Sequence, residues 1–179
     1  MTVSLILGGV KSGKSALAER MASVTKLDVS YIATATATAD DVGMQQRIKH
    51  HQQGRPTHWH TIEEPIKLAA QLQQYCLDSH CVLVDCLTLW LTNLLMTDND
   101  VLLKTEIAAL LAVLPSIKGE LIIVSNETNM GIMPLGDLTR RYCDEIGLLH
   151  QAIATISDTV VLTVAGLPHI LKGTLDDRI

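Results

Sequence analysis

The chain has 179 residues, 47% of them hydrophobic, with a formal net charge of −5. One domain is the default at that length, no apolar run approaches the ~20 residues of a membrane span, and the N-terminus lacks the basic region that opens a signal peptide. The acidic balance argues against a nucleic-acid binder, because phosphate backbones recruit basic faces. The four cysteines, Cys76, Cys81, Cys86 and Cys143, form no C-x-x-C, and the simple reading is a reduced, cytoplasmic chain.

Taken in order, the chain alternates between two kinds of segment. An apolar run over Val3 to Leu7 predicts a strand, and Ala16 to Ala22 has helical composition. A second strand is predicted over 29–33, followed by the small, polar-dotted loop Thr34-Ala35-Thr36-Ala37-Thr38-Ala39. Asp40-Asp41 can cap a helix running to Gln53, which Gly54-Arg55-Pro56 stops. A short strand is possible at 61–63, then a helical stripe at 66–77 and a buried strand at 81–84 closed by Asp85. Helices follow over 87–96 and over 104–114, the second starting near Asp100, and Leu121 to Val124 reads as another strand. Leu138, Tyr142, Ile146, Leu149 and Ile153 recur at spacings of four, four, three and four, which predicts a long helix. The last clear strand is 160–165. Strands apolar on both faces and separated by helices imply an α/β fold: a mostly parallel sheet with helices on both faces.

The central motif is Gly8-Gly9-Val10-Lys11-Ser12-Gly13-Lys14-Ser15, a G-x-x-x-x-G-K-[ST] pattern between a strand and a helix. Gly8 and Gly13 permit the backbone conformations and close approach that a loop wrapped round phosphates needs. Its N–H groups and the helix N-terminus behind them point at a polyphosphate. In such loops the lysine, here Lys14, reaches the β and γ oxygens, and the hydroxyl, here Ser15, ligates Mg²⁺. The other strands end in polar residues where α/β sheets gather function. Asp85 stands where an acid would bind Mg²⁺ directly or through water, or would cap the next helix. Ser125-Asn126-Glu127 follow the 121–124 strand, with helix capping an equal reading for Asn126.

A second constellation is Arg47-Ile48-Lys49-His50-His51-Gln52-Gln53-Gly54-Arg55-Pro56. A neutral imidazole is a competent nucleophile toward phosphorus, and Arg47, Lys49 and Arg55 could compensate the charge of departing pyrophosphate. On residue types alone, two histidines in a basic helix more often form a solvated face. His58 and His60, flanking Trp59, are weak as metal ligands.

The loop at 8–15, Tyr31-Ile32-Ala33-Thr34, and Arg47-Ile48-Lys49-His50-His51 with Gly54-Arg55-Pro56 together resemble the bifunctional adenosylcobinamide kinase/adenosylcobinamide-phosphate guanylyltransferase family. Asn93-Leu94-Leu95, Asn126-Glu127 and Met130-Gly131-Ile132-Met133-Pro134 extend the resemblance over nearly the whole chain. It implies a RecA-like P-loop fold in three layers, a homotrimer, and work in the nucleotide-loop arm of cobalamin assembly. It also implies that His50 carries the guanylyl group. Ala33, Thr34, Ala35, His51, Gln52, Gln53, Gly54, Glu63 and Asp85 would line the guanine nucleotide. The expected substrates are ATP or GTP with adenosylcobinamide, then GTP with adenosylcobinamide phosphate. Four positions depart from the family pattern: Lys11 where arginine is usual, Thr128-Asn129 where Val-Gly is usual, and Asp85 where glutamate is also seen. None removes a group the chemistry requires.

Two other readings stay open. In a simple small-molecule kinase His50 would be structural. A non-enzymatic nucleotide-binding protein is disfavoured, since the Asn-Lys-x-Asp pattern of guanine-reading switches is absent. The apolar residues of 87–96 and of Ile132-Met133-Pro134-Leu135 look surplus to one small domain; they suit either a subunit interface or a sheet cover. Trp90 and Met96 fit either the wall of a pocket or plain core.

Overall fold

Runs of aliphatic residues with no polar alternation set the strands, because a strand buried on both faces has no solvent side to make polar. The computed structural model describes residues 2–36, 42–53, 55–176 and 178–179, with backbone only at Met44, Arg47, His50, His51, Gln52 and Gln53. In chain order the elements are β1 (Thr2–Gly8), α1 (Lys14–Val24), β2 (Asp28–Ala33), α2 (Val42–Gln53), β3 (His60–Glu63) and α3 (Leu68–Tyr75). They continue with β4 (His80–Asp85), α4 (Leu87–Met96), α5 (Asp100–Val113), β5 (Glu120–Asn126), α6 (Asp137–Ile156), β6 (Thr159–Val164) and β7 (Leu167–Lys172). The seven strands form one sheet in the order β3-β2-β4-β5-β1-β6-β7. All neighbours are parallel except β6 and β7.

Two apolar clusters lie on opposite faces of the sheet. One packs Leu68, Trp90, Leu94, Leu110, Ile146 and Ile153 from α3 to α6 against one face. The other packs Leu17, Met21 and Trp59 against Tyr31, Leu83 and Val124 on the opposite face. The expected α/β architecture with helices on both faces is therefore found. Trp90 is core, fully buried, with its indole N–H donating to the Ile66 carbonyl at 2.8 Å. Burying a polar ring N–H requires such a partner.

Two expectations need correcting, and a third falls on residues that are not described. The chain does not end its sheet at β6: a further strand, β7, returns antiparallel from a two-residue turn at Ala165 and Gly166, whose φ values are 54° and 81°. Both positive angles define the turn that matches strand twist, but the usual Asn-Gly signature is absent. Second, the apolar residues of α4 are not surplus. Leu87, Trp90, Leu91, Leu94 and Leu95 are all buried within the chain, which leaves Met96 exposed. Third, the expected cap at Asp40-Asp41 lies outside the described residues. By contrast, Ile132 is 99% and Leu135 93% exposed among the described residues.

Candidate functional site

Parallel strands bring their carboxyl ends to one edge. Register places Glu63, Ala33 and Asp85 side by side on β3, β2 and β4, and Asn126, Gly8 and Thr163 side by side on β5, β1 and β6. The loop between β1 and α1 occupies the middle of this row. Side chains alternate along each strand, and Val124 belongs to the cluster on the α1 face. Asp85 and Asn126 therefore point to the α1 side, where the loop lies.

The loop's shape follows from its glycines. A Cβ at Gly8 would sit 2.3 Å from Thr163 Oγ1 and 2.7 Å from the Thr163 carbonyl, so only glycine fits there. Gly13, the residue before α1, has φ 97°, and a Cβ on it would lie 3.1 Å from Gly166 Cα. Between them Ser12 N–H donates to the Gly9 carbonyl at 3.2 Å, and Lys11 adopts φ 56°. The Ser12 hydroxyl is buried 2.8 Å from the Thr163 hydroxyl, which donates to the Leu7 carbonyl at 3.0 Å. Gly166 N–H donates to the Ser12 carbonyl at 2.9 Å. The β6–β7 turn thus braces the loop from behind. Lys14 Nζ donates to the Gly9 carbonyl at 3.2 Å, a contact at the loop's surface that a polyphosphate oxygen can replace. Val10 and Gly9 are exposed at the rim.

Asp85 accepts from the Tyr31 hydroxyl at 2.9 Å. Burial, and then the Asp85 charge, hold the Tyr31 phenol protonated well above its ordinary range. Arg55 lies over the Tyr31 ring with its guanidinium carbon 3.5 Å from the ring centre, a cation–π contact. Glu19, one turn along α1 from Ser15, faces the same group. Burial raises its carboxyl above the usual range, Asp85 adds to that, and Arg55 opposes it. Arg55 was expected among residues compensating phosphate charge; here its flat face is used by Tyr31. Its Nε and the Asn126 Oδ1 are buried without a hydrogen-bond partner among the described residues. Two orphaned polar atoms at a sheet mouth are unusual and fit a site that a polar ligand completes.

The other expected residues divide. Glu63 is exposed at the end of β3, beside Ala33, while its neighbour Glu64 turns inward and accepts from the Ile66 and Lys67 N–H groups at the start of α3. Thr34 is fully buried, and its hydroxyl donates to the Cys86 carbonyl at 2.7 Å and accepts from the Cys86 N–H at 2.9 Å. Asn93 donates to the Thr34 carbonyl at 2.8 Å. Thr34 therefore ties β2 to β4 and offers a ligand little beyond contact. Ala35 is half-buried next to it. The side chains of His50, His51, Gln52 and Gln53, and the whole of Gly54, lie outside the described residues. The backbone puts His50 and His51 in the last turn of α2, in the segment that leads through Arg55 to Tyr31. His58 and His60 are exposed, and among the described residues no group of three His, Cys, Asp or Glu is arranged to hold a metal. Burial pushes the Cys86 thiol up to about 11 and those of Cys76 and Cys81 up to about 12, which makes them inert.

On the opposite face of β5, Ser125 and Glu127 meet a residue not singled out in the sequence, His150. His150 of α6 is buried, with Nε2 2.8 Å from the fully buried Ser125 hydroxyl and Nδ1 3.7 Å from Glu127 Oε2. Burial lowers the His150 pKa, against a smaller upward pull from Glu127.

A sheet with β5 between the loop strand and the Asp85 strand, and a glycine-rich loop leading into α1, defines a P-loop nucleotide-binding α/β protein. Residues 4–171 match the family described as cobinamide kinase / cobinamide phosphate guanyltransferase. The bifunctional adenosylcobalamin biosynthesis protein CobP of Pseudomonas aeruginosa is 56% identical over 169 residues, covering 94% of this chain and 96% of that one. The bifunctional adenosylcobalamin biosynthesis protein CobU of Escherichia coli is 34% identical over 181 residues, covering 94% and 98%. The chain belongs to this family and is a transferase. Among solved structures, the flagellar accessory protein FlaH of Methanocaldococcus jannaschii superposes with a TM-score of 0.53 at 17% identity, covering 97% of this chain and 79% of that one. An ATPase of a bacterial type III secretion system does so at 0.51 and 11%, covering 99% and 60%. These two likenesses concern the fold alone. No helix among the described residues is long and apolar enough to cross a membrane.

Proposed function

We propose that the chain acts as a single nucleotide-binding domain over residues 1–179 and performs two successive transfers on one acceptor. In the first, ATP or GTP lies on the loop at 8–15 and its γ-phosphoryl group passes to the hydroxyl of adenosylcobinamide. The new bond joins the acceptor oxygen to the γ-phosphorus, and the bond to the β,γ-bridging oxygen breaks. Lys14 and the loop N–H groups neutralise the charge that develops on the phosphoryl oxygens. In the second, the His50 imidazole attacks the α-phosphorus of GTP and pyrophosphate leaves. A phosphate oxygen of adenosylcobinamide phosphate then takes the GMP, breaking the P–N bond and returning the imidazole. The observation that carries this reading is the braced loop with Asp85 and Asn126 aimed at it, in a chain of this family.

Ser15 and Asp85 supply hard oxygen donors that suit Mg²⁺, which takes one or two protein oxygens and completes its shell with water and substrate phosphate. The orphaned Asn126 Oδ1, on the same face of the sheet as Asp85, is consistent with such a shell. When bound, the ion offsets charge on the phosphates. In this reading Gly8, Gly9, Val10, Lys11, Ser12 and Gly13 cradle the polyphosphate. Ala33, Thr34, Ala35, His51, Gln52, Gln53, Gly54 and Glu63 line the guanine nucleotide, with Glu63 accepting from the guanine N1–H and amino group. A homotrimer in the cytoplasm is part of the same proposal, supported by four free thiols and by the uncovered apolar stretch at 130–135.

The test uses the purified chain with adenosylcobinamide, Mg²⁺ and GTP labelled in either the γ- or the α-phosphate. Both labels should enter corrinoid product, with pyrophosphate released in step with the α-label. Transfer of the γ-label alone would reduce the protein to a kinase, and transfer of neither would leave only nucleotide binding.

A further inference from the structure

The kinase half of the proposed function needs a group to receive the proton of the acceptor hydroxyl, a role not yet given to any residue. We infer that Glu127 is that base and that His150, buried behind it, holds the carboxylate in position. The inference rests on the kinase reaction proposed above.

Glu127 follows β5 directly, and its N–H donates to the Gly8 carbonyl at 3.0 Å, so it stands beside the first residue of the phosphate loop. Its carboxylate is held from two sides. Oε1 accepts from the Asn129 N–H at 2.8 Å, and Oε2 faces His150 Nδ1 at 3.7 Å. That second distance exceeds a hydrogen bond, but catalytic contacts often tighten only when substrate is in place.

The hydrogen-bond order behind Glu127 favours one polarity. Asn126 N–H donates to the Thr88 hydroxyl at 2.8 Å, which leaves Thr88 its own proton to give. The Ser125 hydroxyl lies 3.5 Å from Thr88 and 2.8 Å from His150 Nε2. With Thr88 donating to Ser125 and Ser125 donating to Nε2, a neutral ring carries its proton on Nδ1, toward Glu127. Burial keeps the ring neutral near pH 7. A run of hydroxyls and an imidazole, all pointing their protons the same way, ends in a ring N–H aimed at the Glu127 carboxylate. Ser125 is fully buried and has no access to substrate, so the likeness to a nucleophilic triad stops at geometry.

The step balances simply. As the acceptor oxygen bonds to the γ-phosphorus and the nucleoside diphosphate leaves, the acceptor proton passes to Glu127 and from there to solvent.

Glu127→Gln is the first variant, because it keeps Oε1 for Asn129 and removes only the basicity. With γ-labelled GTP and adenosylcobinamide, its kcat for phosphoryl transfer should fall roughly 100-fold or more. KM for the nucleotide should stay within about twofold, and formation of the guanylylated enzyme from α-labelled GTP should be unchanged. Two further variants address His150. His150→Ala should lower kcat about tenfold, and His150→Asn should recover most of it, since its amide N–H replaces Nδ1–H. A Glu127→Gln enzyme with wild-type kcat overturns the assignment. So does parallel loss of phosphoryl transfer and guanylylation, which would mean that Glu127 only supports the loop. Equal losses in His150→Ala and His150→Asn overturn the role given to His150. A wild-type chain that fails to phosphorylate adenosylcobinamide overturns the proposed function instead.

Discussion

The hydroxyl of Thr163, on a strand outside the nucleotide motif, lies 2.8 Å from the hydroxyl of Ser12, inside it. Thr163 also donates to the Leu7 carbonyl, so a single threonine ties the phosphate loop to the strand that precedes it. Thr163→Val keeps the shape and removes both bonds. It leaves Ser12 Oγ and Leu7 O buried without this partner, at a cost of about 1–3 kcal/mol. Urea denaturation should show that loss, and the KM for triphosphate should rise. Gly8→Ala should be worse, because its Cβ would meet the Thr163 carbonyl as well as two hydroxyls. Backbone cannot step aside as a side chain can, so the expected outcome is loss of soluble, folded protein.

Lys14 presents the opposite case. Among the described residues its ammonium hydrogen-bonds to the Gly9 carbonyl alone, at the loop's surface. Lys14→Ala should therefore change stability by no more than about 0.5 kcal/mol. Phosphoryl transfer should nevertheless be abolished and triphosphate binding weakened. Denaturation and isothermal titration with GTP, run on the same sample, check both halves. A variant with wild-type kinase rates would show that the loop does not bind the transferred phosphate.

His150 makes stability depend on pH. Burial lowers its folded pKa below the ordinary 6.5. The unfolded chain then binds a proton more readily than the folded one, and stability falls as pH drops through about 6.5 until the folded ring also titrates. Above that window the ring is neutral in both states and the effect vanishes. Urea midpoints at pH 7.5 and 5.5 should converge more between the two pH values in His150→Asn than in wild type. An equal decline in both proteins would assign the acid sensitivity to other groups.

The apolar surface at 130–135 bears on assembly. With α4 packed into the core, Ile132 and Leu135 are the strongest candidates for a subunit contact, and among the described residues they stay exposed. Sedimentation equilibrium at micromolar concentration should give a mass near three times the 19.5 kDa chain. Ile132→Asp should shift the population toward monomer, because a charge placed in a desolvated contact is costly. A wild-type monomer would remove the trimer from the proposal.

What the sequence revealed and what it concealed have physical reasons. The parallel strands were legible because burial on both faces leaves uninterrupted apolar runs, as at Leu121 to Val124. The phosphate loop was legible because its geometry admits few residue types. β7 was not: all of its residues are exposed, it contains Pro168, and Ala165 replaces the Asn or Asp that usually marks its turn. Thr163 looked like one polar residue in an apolar strand, since its partners lie more than 150 positions away. His150 had a signal that went unused. It follows Ile146 by four and precedes Ile153 by three, so it shares the buried stripe of α6 and is the polar residue on that face. Arg55 was legible as a functional residue type, but its stacking on Tyr31 depends on a tertiary contact that no local pattern encodes.

The sharpest prediction separates His50 from His51. Both lie in the last turn of α2, and neighbours on a helix project about 100° apart. Only one can therefore be in line with the α-phosphorus of a given bound GTP. The family resemblance assigns the role to His50 and leaves His51 to contact the nucleotide. His50→Ala should lose the guanylyl adduct and the transferase reaction, but it should keep phosphoryl transfer, which draws on Lys14 and the loop rather than on a covalent imidazole. The adduct should be stable in base and labile in acid, as a P–N bond is and a serine or threonine phosphoester is not. Each single variant would be incubated with α-labelled GTP, quenched in base and assayed for label on protein, with γ-label transfer to adenosylcobinamide as the folding control. Label retained in His50→Ala and lost in His51→Ala would move the role to His51. Label retained in both variants would end the histidine mechanism and direct the search to another nucleophile at the mouth of the sheet.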